Sequence, residues 1–252
     1  MERALQLTLC AQEVKQYLLS LGATLVGFGD VSQGLAGELR HMPVAISLAI
    51  RHPMSLANLI HTTRGPVYSN RYEQVDLLLE QLQKRVVNLL RSRGYRSLAI
   101  PPDSHRQDTR FVARLYPLFS HKVAATCAGL GWIGKNGLLV NATYGPCLSW
   151  ATVLTNAPLE VCTTPYVSGQ CGRCRRCVES CPAGAIADRE WRREEGLVPH
   201  IDADACRRQL EKNQQLMGED ICGLCILACP RGRAGLQEAG YLRWLKGRQS
   251  RQ

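Results

Sequence analysis

Eight of the twelve cysteines lie in two runs, Cys171-x2-Cys174-x2-Cys177-x3-Cys181-Pro182 and Cys206 followed by Cys222-x2-Cys225-x3-Cys229-Pro230. Three thiolates at such intervals can wrap one corner of an iron–sulfur cubane, while the fourth, set before a proline, is carried toward a second cluster. The expected chemistry is single-electron transfer through two [4Fe-4S] clusters with crossed ligand sets. Cys171, Cys174 and Cys177 would join Cys229, and Cys206, Cys222 and Cys225 would join Cys181. The second run is stretched, because Cys206 stands sixteen residues before Cys222 where a strict repeat would put it three before.

A zinc ribbon or a disulfide framework fits this pattern poorly. Structural zinc uses two separated cysteine pairs and has no need of a third cysteine at regular spacing followed by Cys-Pro. Disulfides belong to oxidising compartments, whereas Met1-Glu2-Arg3 leads into no signal peptide and no apolar run long enough to cross a bilayer. A cytoplasmic, reducing location with no membrane span is expected.

Before the cysteine runs, the 252 residues leave an N-terminal segment long enough to bury a core of its own. The boundary is expected between Pro158 and Gly169, where Asn156-Ala157-Pro158 and Thr163-Thr164-Pro165 interrupt the pattern. This gives a domain over residues 1–162, a bacterial-type double-cluster, ferredoxin-like domain over 163–235, and a basic tail over 236–252. Val75, Leu78, Leu79, Leu82, Val86, Leu89 and Leu90 recur at helical spacing before Gly94 and predict one amphipathic helix. Runs suited to buried strands are Thr24 to Phe28, Val44 to Ile50, Leu98 to Ile100, Leu138 to Val140 and Ala151 to Leu154; helices are expected near Cys10 to Leu21 and Ser120 to Ala128. The fold class predicted is α+β.

The stretch Ser120 to Val140 reads as helix, glycine turn and strand. Gly129, Gly131, Gly134 and Gly137 allow close backbone approach, so a bulky ligand could lie against the turn. A dinucleotide fingerprint is excluded by order, since its glycines follow a strand and open a helix.

Gly129-Leu130-Gly131-Trp132-Ile133-Gly134-Lys135-Asn136, the upstream Tyr68 and Arg71-Tyr72, Tyr144-Gly145-Pro146 and the two cysteine runs in this order resemble the epoxyqueuosine reductase family, which is related to the reductive dehalogenases. The resemblance implies a nitroreductase-like, cobalamin-binding domain followed by the double-cluster domain that feeds electrons to cobalt. It would set Gly129, Gly131, Gly134, Lys135 and Asn136 on the corrinoid. The chain also departs from the family. Where members that act on the tRNA base carry an Asp-Ser/Thr-Ala/Gly-Pro segment, this chain has Ala113-Arg114-Leu115-Tyr116-Pro117, with no carboxylate. The segment after Cys229 is also too short for the family's C-terminal helical repeats. A substrate other than epoxyqueuosine in tRNA is therefore expected, with His121 and Tyr116 as candidate proton donors. Two alternatives stay open: a non-catalytic electron relay or corrinoid-activating partner protein, and true epoxyqueuosine reduction with a substitute acid.

Among the cysteines outside the two runs, Cys10 and Cys127 are expected to be buried small hydrophobes, and Cys147 lies in a loop. Trp191 to Glu195 is expected to be a solvated insertion. The net charge of +10 draws partly on Arg173, Arg175 and Arg176 among the cluster ligands and on Arg231 and Arg233 after them. Such a surface suits an acidic electron donor, a ferredoxin or flavodoxin, docking beside a cluster. RNA suits it less, since Tyr241 and Trp244 are the only aromatics interleaved with the basic residues nearby. A corrinoid protein or a small-molecule substrate would complete the set of partners.

Overall fold

Four of the five apolar runs too short for helices become the strands of one four-stranded sheet, and Leu138 to Val140 falls in a separate two-stranded one. The computed structural model describes residues 10–52, 67–100, 119–196, 200–217 and 222–231. The elements are α1 (Ala11–Ser20), β1 (Leu25–Asp30), β2 (Val44–Arg51), α2 (Val67–Ser92), β3 (Ser97–Ile100), α3 (His121–Cys127), β4 (Trp132–Ile133), β5 (Leu139–Val140), β6 (Leu148–Thr155), α4 (Arg176–Glu179), α5 (Ala203–Met217) and α6 (Leu224–Leu227). The mixture of helices and strands is that expected. No helix of the described residues is long and apolar enough to cross a membrane.

Two compact units share the chain. One comprises Met1–Ile50, Tyr72–Leu130 and Ser149–Tyr166; the other comprises Arg51–Arg71, Gly131–Leu148 and Val167–Gln252. The units interleave along the sequence, whereas the expected domains follow one another. The segment from Gly131 to Leu148, which contains most of the glycine turn, falls in the same unit as the cysteine runs.

The first unit is built on the sheet in the order β1-β2-β6-β3. Strands β1 and β2 pair antiparallel from Leu25 opposite Ala49 to Asp30 opposite Val44, and β3 and β6 pair antiparallel from Ser97 opposite Thr155 to Ile100 opposite Thr152. Successive side chains of a strand point to opposite faces. Ile46, Leu48, Ile50, Ala151 and Val153 accordingly join one apolar cluster with Val14 and Leu18 of α1 and Leu79, Val86 and Leu90 of α2. Ala45, Ile100 and Leu154 join another with Phe119, Ala124 and Cys127. Burial on both faces is why β2 and β6 read as nearly continuous apolar runs. Helix α2 turns Val75, Leu79, Leu82, Val86 and Leu90 inward, but Leu78 is 49% exposed, because the helical period of that stripe passes it by.

Helix α3 begins at Ser120, whose side chain accepts a hydrogen bond from the Lys122 amide and so satisfies one of the free donors of the first turn. It packs closely on β1. A Cβ at Gly29 would stand 2.6 Å from the Ala128 nitrogen, so glycine is required there. Gln83 lies buried and donates to the carbonyl oxygens of Ile100 and Thr152, at 2.6 and 2.8 Å. One side chain thereby ties α2 to both β3 and β6.

Candidate iron–sulfur site

In the second unit each cysteine run folds into the same local shape. Helix α4 carries Cys177 as its second residue and α6 carries Cys225 as its second residue. Each is a four-residue turn that ends just before a Cys-Pro, at Cys181-Pro182 and at Cys229-Pro230. The two turns pack on each other. The amides of Cys181 and Cys229 close onto the carbonyls of Val178 and Ile226, each at 3.2 Å. Cys206, separated from its run in sequence, is brought in by α5, where its amide donates to the Asp202 carbonyl in the first turn. The long loop that stretches the second run is therefore mostly a helix.

The thiols lie in two neighbourhoods. Burial pushes the Cys177 thiol up, and the surrounding Cys171, Cys229 and Cys174 push it further. Cys206 is raised by burial and then by Cys181 and Cys222. Cys225 is pushed up to about 12 by burial first and then by Cys222, Cys177, Cys206 and Cys181. Cys177 thus senses Cys171, Cys174 and Cys229, Cys206 senses Cys181 and Cys222, and Cys225 senses Cys177 as well as Cys181, Cys206 and Cys222. Among the described residues no three acidic, histidine or cysteine side chains converge tightly enough to hold a single metal ion. Thiols raised by one another resist ionising together, and bound iron reverses this by taking the thiolates and releasing their protons. Eight thiols of this kind are the number of donors that two [4Fe-4S] clusters need, so the residues present fit the group.

The residues expected at a corrinoid are also placed. A Cβ at Gly129 would meet Cys162 Sγ at 2.6 Å, one at Gly131 the Val140 carbonyl oxygen at 2.5 Å, one at Gly134 a Val140 methyl at 2.7 Å, and one at Gly137 the Ile201 side chain at 2.9 Å. The space that each glycine leaves is filled by the protein itself. The Lys135 ammonium donates to the Gly172 carbonyl oxygen and to Asp188 Oδ1, both at 2.8 Å. Asn136 is buried, accepts from the Leu138 amide and reaches the Cys225 carbonyl at 3.5 Å. These contacts explain why glycine is needed at the four positions.

Of the candidate proton donors, His121 is buried with its Nδ1 2.9 Å from the Thr152 hydroxyl, and Tyr116 lies outside the described residues. Tyr68 and Tyr72 fall in the first turns of α2. Cys127 is buried as expected, whereas Cys10 is exposed, because it caps α1 from outside instead of lying on its inner face. Cys147 is buried and pushed up to about 12, chiefly by burial. The stretch from Trp191 to Glu195 is not a solvated insertion. Trp191 is 2% exposed, its indole donates to the Gly196 carbonyl, and the Arg193 amide donates to the Val167 carbonyl at 2.8 Å.

Sequence reasoning did not find Asp188. It sits in the left-handed region at φ 50° and is held below the usual carboxylate range by its hydrogen bond to Lys135, with Arg175 adding to this at 3.2 Å. Nothing in the chain marks it, since its partner lies in another segment.

These features define an iron–sulfur protein, and residues 170–232 match the family described as the 4Fe-4S double cluster binding domain. The chain further resembles the epoxyqueuosine reductases. It is 38% identical over 117 residues to the epoxyqueuosine reductase of Aliivibrio fischeri, covering 42% of this chain and 29% of that protein. With the Synechocystis enzyme it shares 45% identity over 67 residues, covering 27% and 22%. The aligned part is thus under a third of either relative's length. An epoxyqueuosine reductase structure with a tRNA-Tyr epoxyqueuosine-modified tRNA stem loop has the same fold, with TM-score 0.60, 19% identity, and 89% of this chain and 65% of that one covered. A reductive dehalogenase whose structure suggests a mechanism for B12-dependent dehalogenation gives TM-score 0.64 and 19% identity over 90% of this chain and 33% of that one.

Proposed function

We propose that this protein is an iron–sulfur oxidoreductase that holds two [4Fe-4S] clusters in crossed sets and passes single electrons to cobalamin. The observation that carries the first part is the match of residues 170–232 to the 4Fe-4S double cluster binding domain, beside the influence of Cys171, Cys174 and Cys229 on Cys177 and of Cys181 and Cys222 on Cys206. When bound, such clusters supply one-electron transfer at low potential. The chain's own part is to hold the thiolates in place and to shield them from water. Ala185 donates its amide to Cys181 Sγ at 3.3 Å, a contact that favours the charged form of the sulfur.

The corrinoid part of the reading is supported by the fold shared with a protein of B12-dependent dehalogenation. The nitroreductase-like, corrinoid-binding character of the sheet unit belongs to the same proposal. For the electron donor we propose an acidic flavodoxin or ferredoxin, since Arg173 and Arg176 are exposed beside Cys174 and Cys177. The substrate proposed is not epoxyqueuosine in tRNA, given the missing carboxylate at Ala113 to Pro117.

Two measurements test this. Iron and sulfide analysis of anaerobically purified protein should give two cubanes per chain, and Cys225→Ser should lose one of them. Cob(II)alamin added to that protein should move to a base-off electron paramagnetic resonance (EPR) signal. An unchanged base-on signal at saturating protein would remove the corrinoid and leave a two-cluster electron carrier.

A further inference from the structure

The backbone of Gly172, inside the Cys171 to Cys174 ligand loop, is held at both its amide and its carbonyl. Its amide donates to Glu190 Oε1 and its carbonyl accepts from the Lys135 ammonium. Lys135 is 6% exposed and its charge is answered by Asp188, which also meets Arg175. Two cations, Lys135 and Arg175, thus face Asp188 and Glu190 next to one cluster loop, with Glu179 4.0 Å from Arg175. Asp188 holds a left-handed backbone that a neutral asparagine would adopt as readily, so the backbone alone does not account for a carboxylate at that position. The ammonium is held charged, raised above its ordinary value first by the hydrogen bond to Asp188 and further by the charges of Asp188, Glu190 and Cys171.

Resting on the two-cluster reading, we propose that Lys135, Asp188 and Glu190 are positioning residues that fix the Cys171 to Cys174 loop, and that the balance of Lys135 against Asp188 sets the reduction potential of the cluster held by Cys171, Cys174, Cys177 and Cys229. A cluster gains a negative charge on reduction, so a nearby cation favours the reduced state and a nearby anion opposes it. Removing the lysine charge leaves the carboxylates unanswered and lowers the potential. Removing the Asp188 charge takes one anion away from the loop and raises it. A role limited to holding the loop would not give opposite signs.

The test is an EPR-monitored redox titration of the full chain, purified anaerobically, with iron and sulfide measured on every sample. Lys135→Met should lower the midpoint of one cluster and Asp188→Asn should raise the midpoint of the same one. Each should change the oxidised-to-reduced ratio at fixed poise about tenfold, equivalent to about 59 mV for one electron. Lys135→Arg should restore the wild-type midpoint. Should Lys135→Met fail to retain iron, the partly exposed Asp188→Asn decides alone. Shifts in the same direction, or none, with both clusters present would overturn the inference. Wild-type protein without two clusters would instead overturn the reading beneath it.

Discussion

The two units are held together by different means. In the sheet unit, apolar side chains from three helices and four strands close on both faces, and Val14, Leu18, Ile46, Leu48, Leu79 and Leu90 are fully buried. In the cluster unit, the described residues from Val167 onward contain only Ala185, Ile186 and Trp191 as buried hydrophobic side chains. Polar ties from Lys135, Asn136, Glu190 and Trp191 span that stretch instead. Water-excluded area thus dominates in the sheet unit; the cluster unit buries Trp132, Ile133, Leu139 and Val140 ahead of the cysteine runs, and bound clusters would add metal-binding free energy to it. Where a site is not preformed, metal affinity is also folding free energy.

The sharpest way to break this contrast is to remove the iron. Chelation under oxidising conditions should abolish hydrogen-exchange protection over residues 167–231 and leave α2 and β6 protected. Equal loss in both units would show that the sheet unit also depends on the clusters. The converse change is Leu79→Ala, which should destabilise the sheet unit by about 2–5 kcal/mol. Denaturant unfolding followed by circular dichroism would report this loss, while the visible absorbance of the clusters before unfolding stays unchanged.

Acid sharpens the comparison more gently. His52, in the cluster unit, is lowered from 6.5 to about 4 by burial. Its folded form stays neutral where the unfolded chain takes up a proton, so the stability it contributes is full above pH 6.5. That stability is lost as pH falls toward 4, by about 3 kcal/mol in all at about 1.36 kcal/mol per pKa unit. Asp188, depressed by Lys135, acts in the same direction below the carboxylate range. The midpoint of denaturation should fall along this slope, and His52→Asn should flatten it between pH 6.5 and 4. An unaltered slope in that variant would assign the acid sensitivity to other groups.

Much of this was legible in the sequence, for reasons that also explain what was not. The strands of the sheet are apolar on both faces, so Val44 to Ile50 and Ala151 to Leu154 stand out as runs, and α2 declares itself by period. Strand β4 is only Trp132–Ile133, too short for any period to show. The cysteines were legible because cluster geometry fixes their spacing, even with Cys206 displaced along α5. The position of Lys135 was not, because its partners Gly172 and Asp188 belong to other segments and only folding brings them to it. The glycines of the turn were legible, but the neighbours that require them were not, because they come from other elements. Here Val140, Cys162 and Ile201 fill the vacated space. Cys10 was misread for a simpler reason, since the first residue before a helix does not share the helix's inner face.

The interleaving of the two units has a practical corollary for anyone dissecting the protein. The cysteine motifs suggest a detachable C-terminal module, and a fragment starting at residue 163 would contain every proposed cluster ligand. It would nevertheless lack Lys135 and Asn136, the Val140 against which the turn folds, and the Trp132 ring that lies 5.8 Å beneath the Arg231 guanidinium. A polypeptide cut at that place would keep the donors but lose the frame that spaces them. Modularity in this protein follows the folded units, and a working excision of the electron-transfer half would need residues 131–148 joined back to it.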